Sequence, residues 1–93
     1  MSSLAGKVAL VTGGNSGIGL ATARAFHANG SSVAISGRDP ETLEEVAQEL
    51  GSNVLVVQAD VTRLSEIDQL MARIHEMFGK LDILFVNAGI YKG

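Results

Sequence analysis

The chain has 93 residues, enough for one domain, 1–93, and its core must be aliphatic because hydrophobic residues make up 46% and aromatics only 4%. It contains no Cys, which excludes disulfides, thiolate metal sites and a cysteine nucleophile. A net charge of −3 without any basic run argues against a nucleic-acid surface, and no apolar stretch approaches the ~18 residues a membrane span needs. Met1 to Gly6 have neither a basic region nor a long apolar one, so a soluble, cytoplasmic chain is expected.

In chain order, the run Val8-Ala9-Leu10-Val11 predicts a first strand over 7–11. Thr12-Gly13-Gly14-Asn15-Ser16-Gly17 breaks it with a tight turn. A helix is predicted over 17–29, stopped by Gly30, with Ile18, Ala21, Ala25 and Phe26 as its inner face. Strand, glycine turn and helix in that order make a phosphate site, since the first helical N–H groups lack intrahelical acceptors and the helix dipole favours negative charge there. The glycines follow T-G-x-x-x-G-x-G rather than the usual G-x-G-x-x-G.

A second strand is predicted over 32–36, ending at Gly37-Arg38-Asp39-Pro40. Asp39 caps and Pro40 starts a second helix, with Leu43, Val46, Ala47 and Leu50 on one face and Gly51 as its stop. Val54-Leu55-Val56-Val57 reads as a strand buried on both faces. A third helix is expected from near Ser65, with Ser65 and Asp68 as a capping box and a stripe of Ile67, Leu70, Met71, Ile74 and Phe78. The fourth strand, 82–86, leads into Asn87-Ala88-Gly89. Alternating strands and helices predict an α/β, Rossmann-type doubly wound parallel sheet, here four strands in the order 3-2-1-4 with three helices. Ligands of such sheets bind beyond the carboxyl ends of the strands, where Gly13, Gly37, Asp60 and Asn87 all fall. His27 and His75 stand singly and suggest no metal site.

Thr12-Gly13-x-x-x-Gly17-Ile18-Gly19, then Asp60-Val61, Leu81-Asp82 and Asn87-Ala88-Gly89, together resemble the short-chain dehydrogenase/reductase family from Leu4 to Ile90. Val86 departs from it, standing where the family often has another Asn. The resemblance implies a dinucleotide cofactor. Gly13, Gly17 and Gly19 would hold its phosphates with donors from Ser16 and Ile18, and Asn15 belongs to the same set. Asp60 and Val61 would meet the adenine, and Asn87, Ala88 and Gly89 the ribose and nicotinamide side. Each has a plainer alternative: close helix packing for Gly19, a turn aspartate for Asp60, a sheet-locking side chain for Asn87. Gly37 followed by Arg38 offers a guanidinium and no carboxylate at the end of the second strand, which favours NADP(H), with NAD(H) possible; a plain surface Arg38 is the alternative.

The family's catalytic Ser and Tyr-x-x-x-Lys would lie after Gly93. Tyr91 and Lys92 are adjacent and cannot share a helix face, so no catalytic residue is assigned. Two expectations follow. One is the cofactor-binding part of an oxidoreductase that moves hydride between NADP(H) and a small-molecule carbonyl or alcohol, inactive alone and truncated before its catalytic segment. The other is a non-catalytic nucleotide-binding or assembly module complete at 93 residues. The apolar fourth strand, an edge here, predicts a homo-oligomer or a poorly soluble chain.

Overall fold

The computed structural model describes residues 3–87. Ala88, Gly89, Tyr91 and Lys92 lie outside the described residues. Seven elements alternate: β1 (Val8–Thr12), α1 (Gly17–Ala28), β2 (Ser32–Gly37), α2 (Pro40–Leu50), β3 (Val54–Gln58), α3 (Leu64–Phe78) and β4 (Ile83–Val86). All strand pairs are parallel and the order is β3-β2-β1-β4, as the sequence predicts. β1 and β2 are central and apolar on both faces, so each helix has a surface to cover.

Two half-cores flank the sheet. On one face Val8, Leu10, Ala34, Leu55 and Val57 receive Leu70 and Ile74 of α3. On the other, Val11, Val33 and Ile35 receive Ala23 of α1 and Leu43 and Val46 of α2. α2 starts as expected: the Asp39 carboxylate accepts from the Glu41 N–H at 3.0 Å, with Pro40 in the first turn.

Four local expectations need correction, the first being Met71, which the sequence places in the inner stripe of α3 but which is 39% exposed. The inner face of α1 is Gly19, Leu20, Ala23 and Phe26, while Ala21 and Ala25 face solvent and Ile18 is 71% exposed. Gly19 sets that phase, because only a residue without Cβ can lie on the β1 turn. The capping box at Ser65 and Asp68 does not form. α3 begins at Leu64 with Arg63 as a cap that makes no side-chain bond. Its third residue, Glu66, reaches back instead and accepts from the Asp60 N–H at 2.8 Å. Finally, β3 is fully buried on one face only: Leu55 and Val57 lie under α3, while Val54 and Val56, packed against the core on the α2 side, are half-buried at the sheet's edge.

Asp82 fastens β4 to β1. Its Oδ2 accepts from the Val8 N–H at 2.8 Å, its own N–H donates to the Val8 carbonyl, and Lys80 Nζ lies 3.2 Å away. The Val8 N–H, with Lys80 next, holds this carboxyl below its ordinary value of 3.8. A group with a depressed folded value stabilises above its unfolded value and loses that contribution as pH falls through the folded one. Melting temperatures measured from pH 6 down to pH 2 should therefore fall less steeply for Asp82→Asn, which should also melt several degrees lower at pH 6. Parallel profiles for the two chains would remove this role from Asp82.

Candidate functional site: the rim beyond the strand ends

The turn after β1 is built on close approach. Gly13 has φ +65°, and a Cβ there would come 3.2 Å from Asn87 Nδ2. A Cβ on Gly19 would overlap the Gly13 carbonyl oxygen and lie 3.0 Å from Asn87 Nδ2. α1 therefore enters directly over the turn. Its first intrahelical bond runs from Leu20 N–H to the Ser16 carbonyl at 3.1 Å, and the N–H groups of Gly17, Ile18 and Gly19 precede it without intrahelical acceptors. No side chain caps this end and its first turn holds no acid. An anion placed there meets donors and the positive end of the dipole.

The rim closes through neighbouring strand ends. Gly13 and Gly14 N–H groups bond to the Ser36 carbonyl at 2.8 and 3.3 Å, which ties the turn to β2. The Asn87 N–H donates to Thr12 Oγ1 at 3.0 Å, which ties the end of β4 to β1. Sheet locking at Asn87 thus uses its backbone, while its side chain sits against Gly13 and Gly19. Ala59 N–H bonds to the Gly37 carbonyl at 2.9 Å and brings in the end of β3.

These ends enclose a pocket of about 420 Å³, within the range of small-molecule sites. Of the residues singled out by sequence, Gly13, Asn15, Ser16, Gly37, Arg38, Val61 and Asn87 line it. Gly17, Ile18, Gly19 and Asp60 adjoin that wall without forming it. Thr12, Ser36 and Ala59 also contribute and were missed. Ser36 is the informative one. It is buried, yet its Oγ is the buried side-chain oxygen without a hydrogen-bond partner among the described residues. An unpaired buried hydroxyl costs free energy unless a ligand or water completes it. A serine ending a strand carries no sequence signal that separates it from an ordinary strand residue.

Asp60 forms an Asx turn. Its Oδ1 accepts from Thr62 Oγ1 at 2.6 Å and from Thr62 N–H at 3.0 Å, with Arg38 Nη2 3.7 Å away and Arg63 Nε 3.9 Å from Oδ2. The Thr62 hydroxyl, then its N–H, with Arg38 and Arg63 behind them, hold this carboxyl below its usual range. The turn reading of Asp60 is thus realised, and a charged acceptor stands beside Val61. Arg38 is 65% solvent-exposed, so its ion pair with Asp60 is weak and its donors are available.

A parallel 3-2-1-4 sheet, a glycine turn on a helix N-terminus, and a pocket across the strand ends define a Rossmann-type nucleotide-binding unit. An orphaned Ser36 hydroxyl and glycines whose Cβ atoms would fill the cradle fit a polyphosphate ligand. The chain belongs to the short chain dehydrogenase family, whose model matches residues 7–93. It is 41% identical over 90 residues to tropinone reductase-like 2 of Erythroxylum coca, covering 97% of this chain and 33% of that protein. The crystal structure of glucose dehydrogenase of Caenorhabditis elegans in its apo form superposes with a TM-score of 0.88 at 44% identity, over 94% of this chain and 39% of that one. 3-Ketoacyl-(acyl-carrier-protein) reductase from Brucella melitensis complexed with NADH gives 0.86 at 43% identity, over 88% and 34%. The chain spans 33–40% of the length of its curated relatives. No helix among the described residues is long and apolar enough to cross a membrane.

Proposed function

We propose that this chain is the cofactor-binding part of an oxidoreductase that moves hydride between NADP(H) and a carbonyl or alcohol substrate. The observation that carries the reading is the pocket itself: Gly13, Arg38, Val61 and Asn87, distant in sequence, share one rim. The nicotinamide supplies the hydride chemistry, and the protein supplies position and electrostatics. The α1 N-terminus and the Gly13 turn take the pyrophosphate, Val61 flanks the adenine with Asp60 beside it, and Asn87 faces the nicotinamide half. Ser36 Oγ, without a partner among the described residues, gains one from a bound polar group. The reductase complexed with NADH supports a nicotinamide dinucleotide without choosing between the two forms.

Arg38 favours the 2′-phosphate. It follows Gly37, where an acid would select a ribose hydroxyl, and a guanidinium pairs with a phosphate dianion by charge-assisted bonds. Titration calorimetry with NADPH and NADH should show NADPH binding more tightly. Arg38→Gln should weaken NADPH by about tenfold or more, the worth of one or two such bonds, and leave NADH within about twofold. Tighter NADH binding by the parent chain, or equal losses in the variant, would overturn the NADP assignment. Binding of neither would overturn the site.

β4 carries the second proposal, self-association. Leu84 and Val86 are 58% and 63% exposed, and the strand is an open sheet edge among the described residues. Apolar edges recruit other strands. Sedimentation velocity of the 93-residue chain should show concentration-dependent association, reduced in a Leu84→Lys, Val86→Lys double variant; a clean monomer at high concentration would refute it.

A further inference from the structure

Asn15 has a contact that the phosphate role does not use. Its Nδ2 donates to Thr42 Oγ1 at 2.6 Å, joining the glycine turn to the first turn of α2. The Thr42 hydroxyl in turn donates to the Asp39 carbonyl at 3.1 Å. A carbonyl only accepts, so the single Thr42 proton is committed there and its lone pairs face Asn15. The atom of Asn15 turned to Thr42 must then be the donor, Nδ2. That leaves Oδ1 over the end of β2: a Cβ built on Gly37 would come 2.5 Å from it, nearer than any other atom. The space that a side chain at 37 would take is filled by the Asn15 amide from another element, with its carbonyl oxygen nearest that position.

This end of β2 is where a ribose 2′ substituent is read. A carbonyl oxygen accepts from a hydroxyl and repels a phosphate. Turning the amide to offer its NH2 requires the Thr42 hydroxyl to rotate and donate to Oδ1, which gives up its bond to Asp39. We infer that Thr42, which does not line the pocket, is a positioning residue that holds the Asn15 amide in its hydroxyl-accepting orientation and so narrows the preference for a 2′-phosphate that Arg38 sets. The inference rests on the dinucleotide reading above. Because the amide can be turned by one hydroxyl rotation, the pocket admits either nucleotide with a modest penalty rather than excluding one.

The test is the ratio of NADPH to NADH affinities measured by direct titration of the full chain, with no turnover required. Thr42→Val keeps the shape and removes the hydroxyl. It should raise the NADPH:NADH ratio by about two- to tenfold, the worth of one ordinary hydrogen bond, with NADH losing affinity and NADPH holding or gaining. Thr42→Ser, which restores the hydroxyl, should return the parent ratio. Thr42→Ala serves as a second hydroxyl-free variant, and thermal melts monitor folding of all three. Equal weakening of both nucleotides in the hydroxyl-free variants makes Thr42 merely structural and overturns the inference alone. So does a ratio that stays fixed or moves toward NADH. If the parent chain binds neither nucleotide, the dinucleotide reading and this inference fall together.

Discussion

Gly19→Ala is expected to weaken dinucleotide binding by about tenfold or more and to lower the melting temperature by several degrees. The new Cβ would overlap the Gly13 carbonyl oxygen and lie 2.8 Å from its carbon, both backbone atoms. No side-chain rotation relieves that clash, so α1 must retreat from the turn. Overpacking of this kind costs about 1–3 kcal/mol, and a domain of this size loses roughly 4–8 °C per kcal/mol. Retreat also withdraws the N–H groups of Gly17, Ile18 and Gly19 from the pyrophosphate, and bonds to a charged group are worth about 1.5–3 kcal/mol each. Gly79→Ala is the matched control. It sits at φ +80° with open space around its Cβ, far from the rim, so it should lower stability by about 1 kcal/mol and leave affinity alone. Calorimetric titration and thermal melts of both variants measure the effect. If Gly19→Ala kept the parent's affinity, the turn and helix could not be the phosphate cradle.

Leu70→Ala should remove a large share of the chain's stability. Leu70 and Ile74 are buried against Leu10, Ala34, Leu55 and Val57 and seat α3 on the sheet. A buried Leu→Ala change costs about 2–5 kcal/mol, whereas a domain of this length is stable by roughly 5–14 kcal/mol in all. The damage should reach the site, because α3 carries Glu66, which holds the Asp60 N–H at the rim. Met71→Ala, one residue on and outward-facing, should stay within about 0.5 kcal/mol. Circular dichroism melts and dye binding to exposed apolar surface separate the two; similar melts would show that α3 does not hold the core.

Topology was legible in the sequence because it follows from periodicity. Strand runs of β-branched residues and helical stripes such as Leu43, Val46 and Leu50 fix the element order, and right-handed parallel connections then leave few sheet orders. The rim was legible for the same reason: strand ends in a parallel sheet lie on one side. What failed were features decided by neighbours. Ile18, Ala21 and Ala25 look like an inner face on small-residue content, but contact with the Gly13 carbonyl turns the helix to bury Gly19 and Ala23 instead. Ser65 and Asp68 have capping-box chemistry, yet the turn at Asp60 starts the helix at Leu64 and gives the reaching carboxylate to Glu66. Ser36 and Thr42 gave no signal, since a serine or threonine in a strand or helix is ordinary until its partners are known.

The linear order of residues by itself determined the parallel sheet, its strand order, the glycine turn on a helix start and the family they mark, because hydrophobic period and turn chemistry are properties of short segments. Only the tertiary structure decided which helix face is buried, that the Ser36 hydroxyl is unpaired among the described residues, and that Asn15 lies over Gly37 bonded to Thr42. Those depend on the distances and directions between atoms of different elements, which no local pattern encodes.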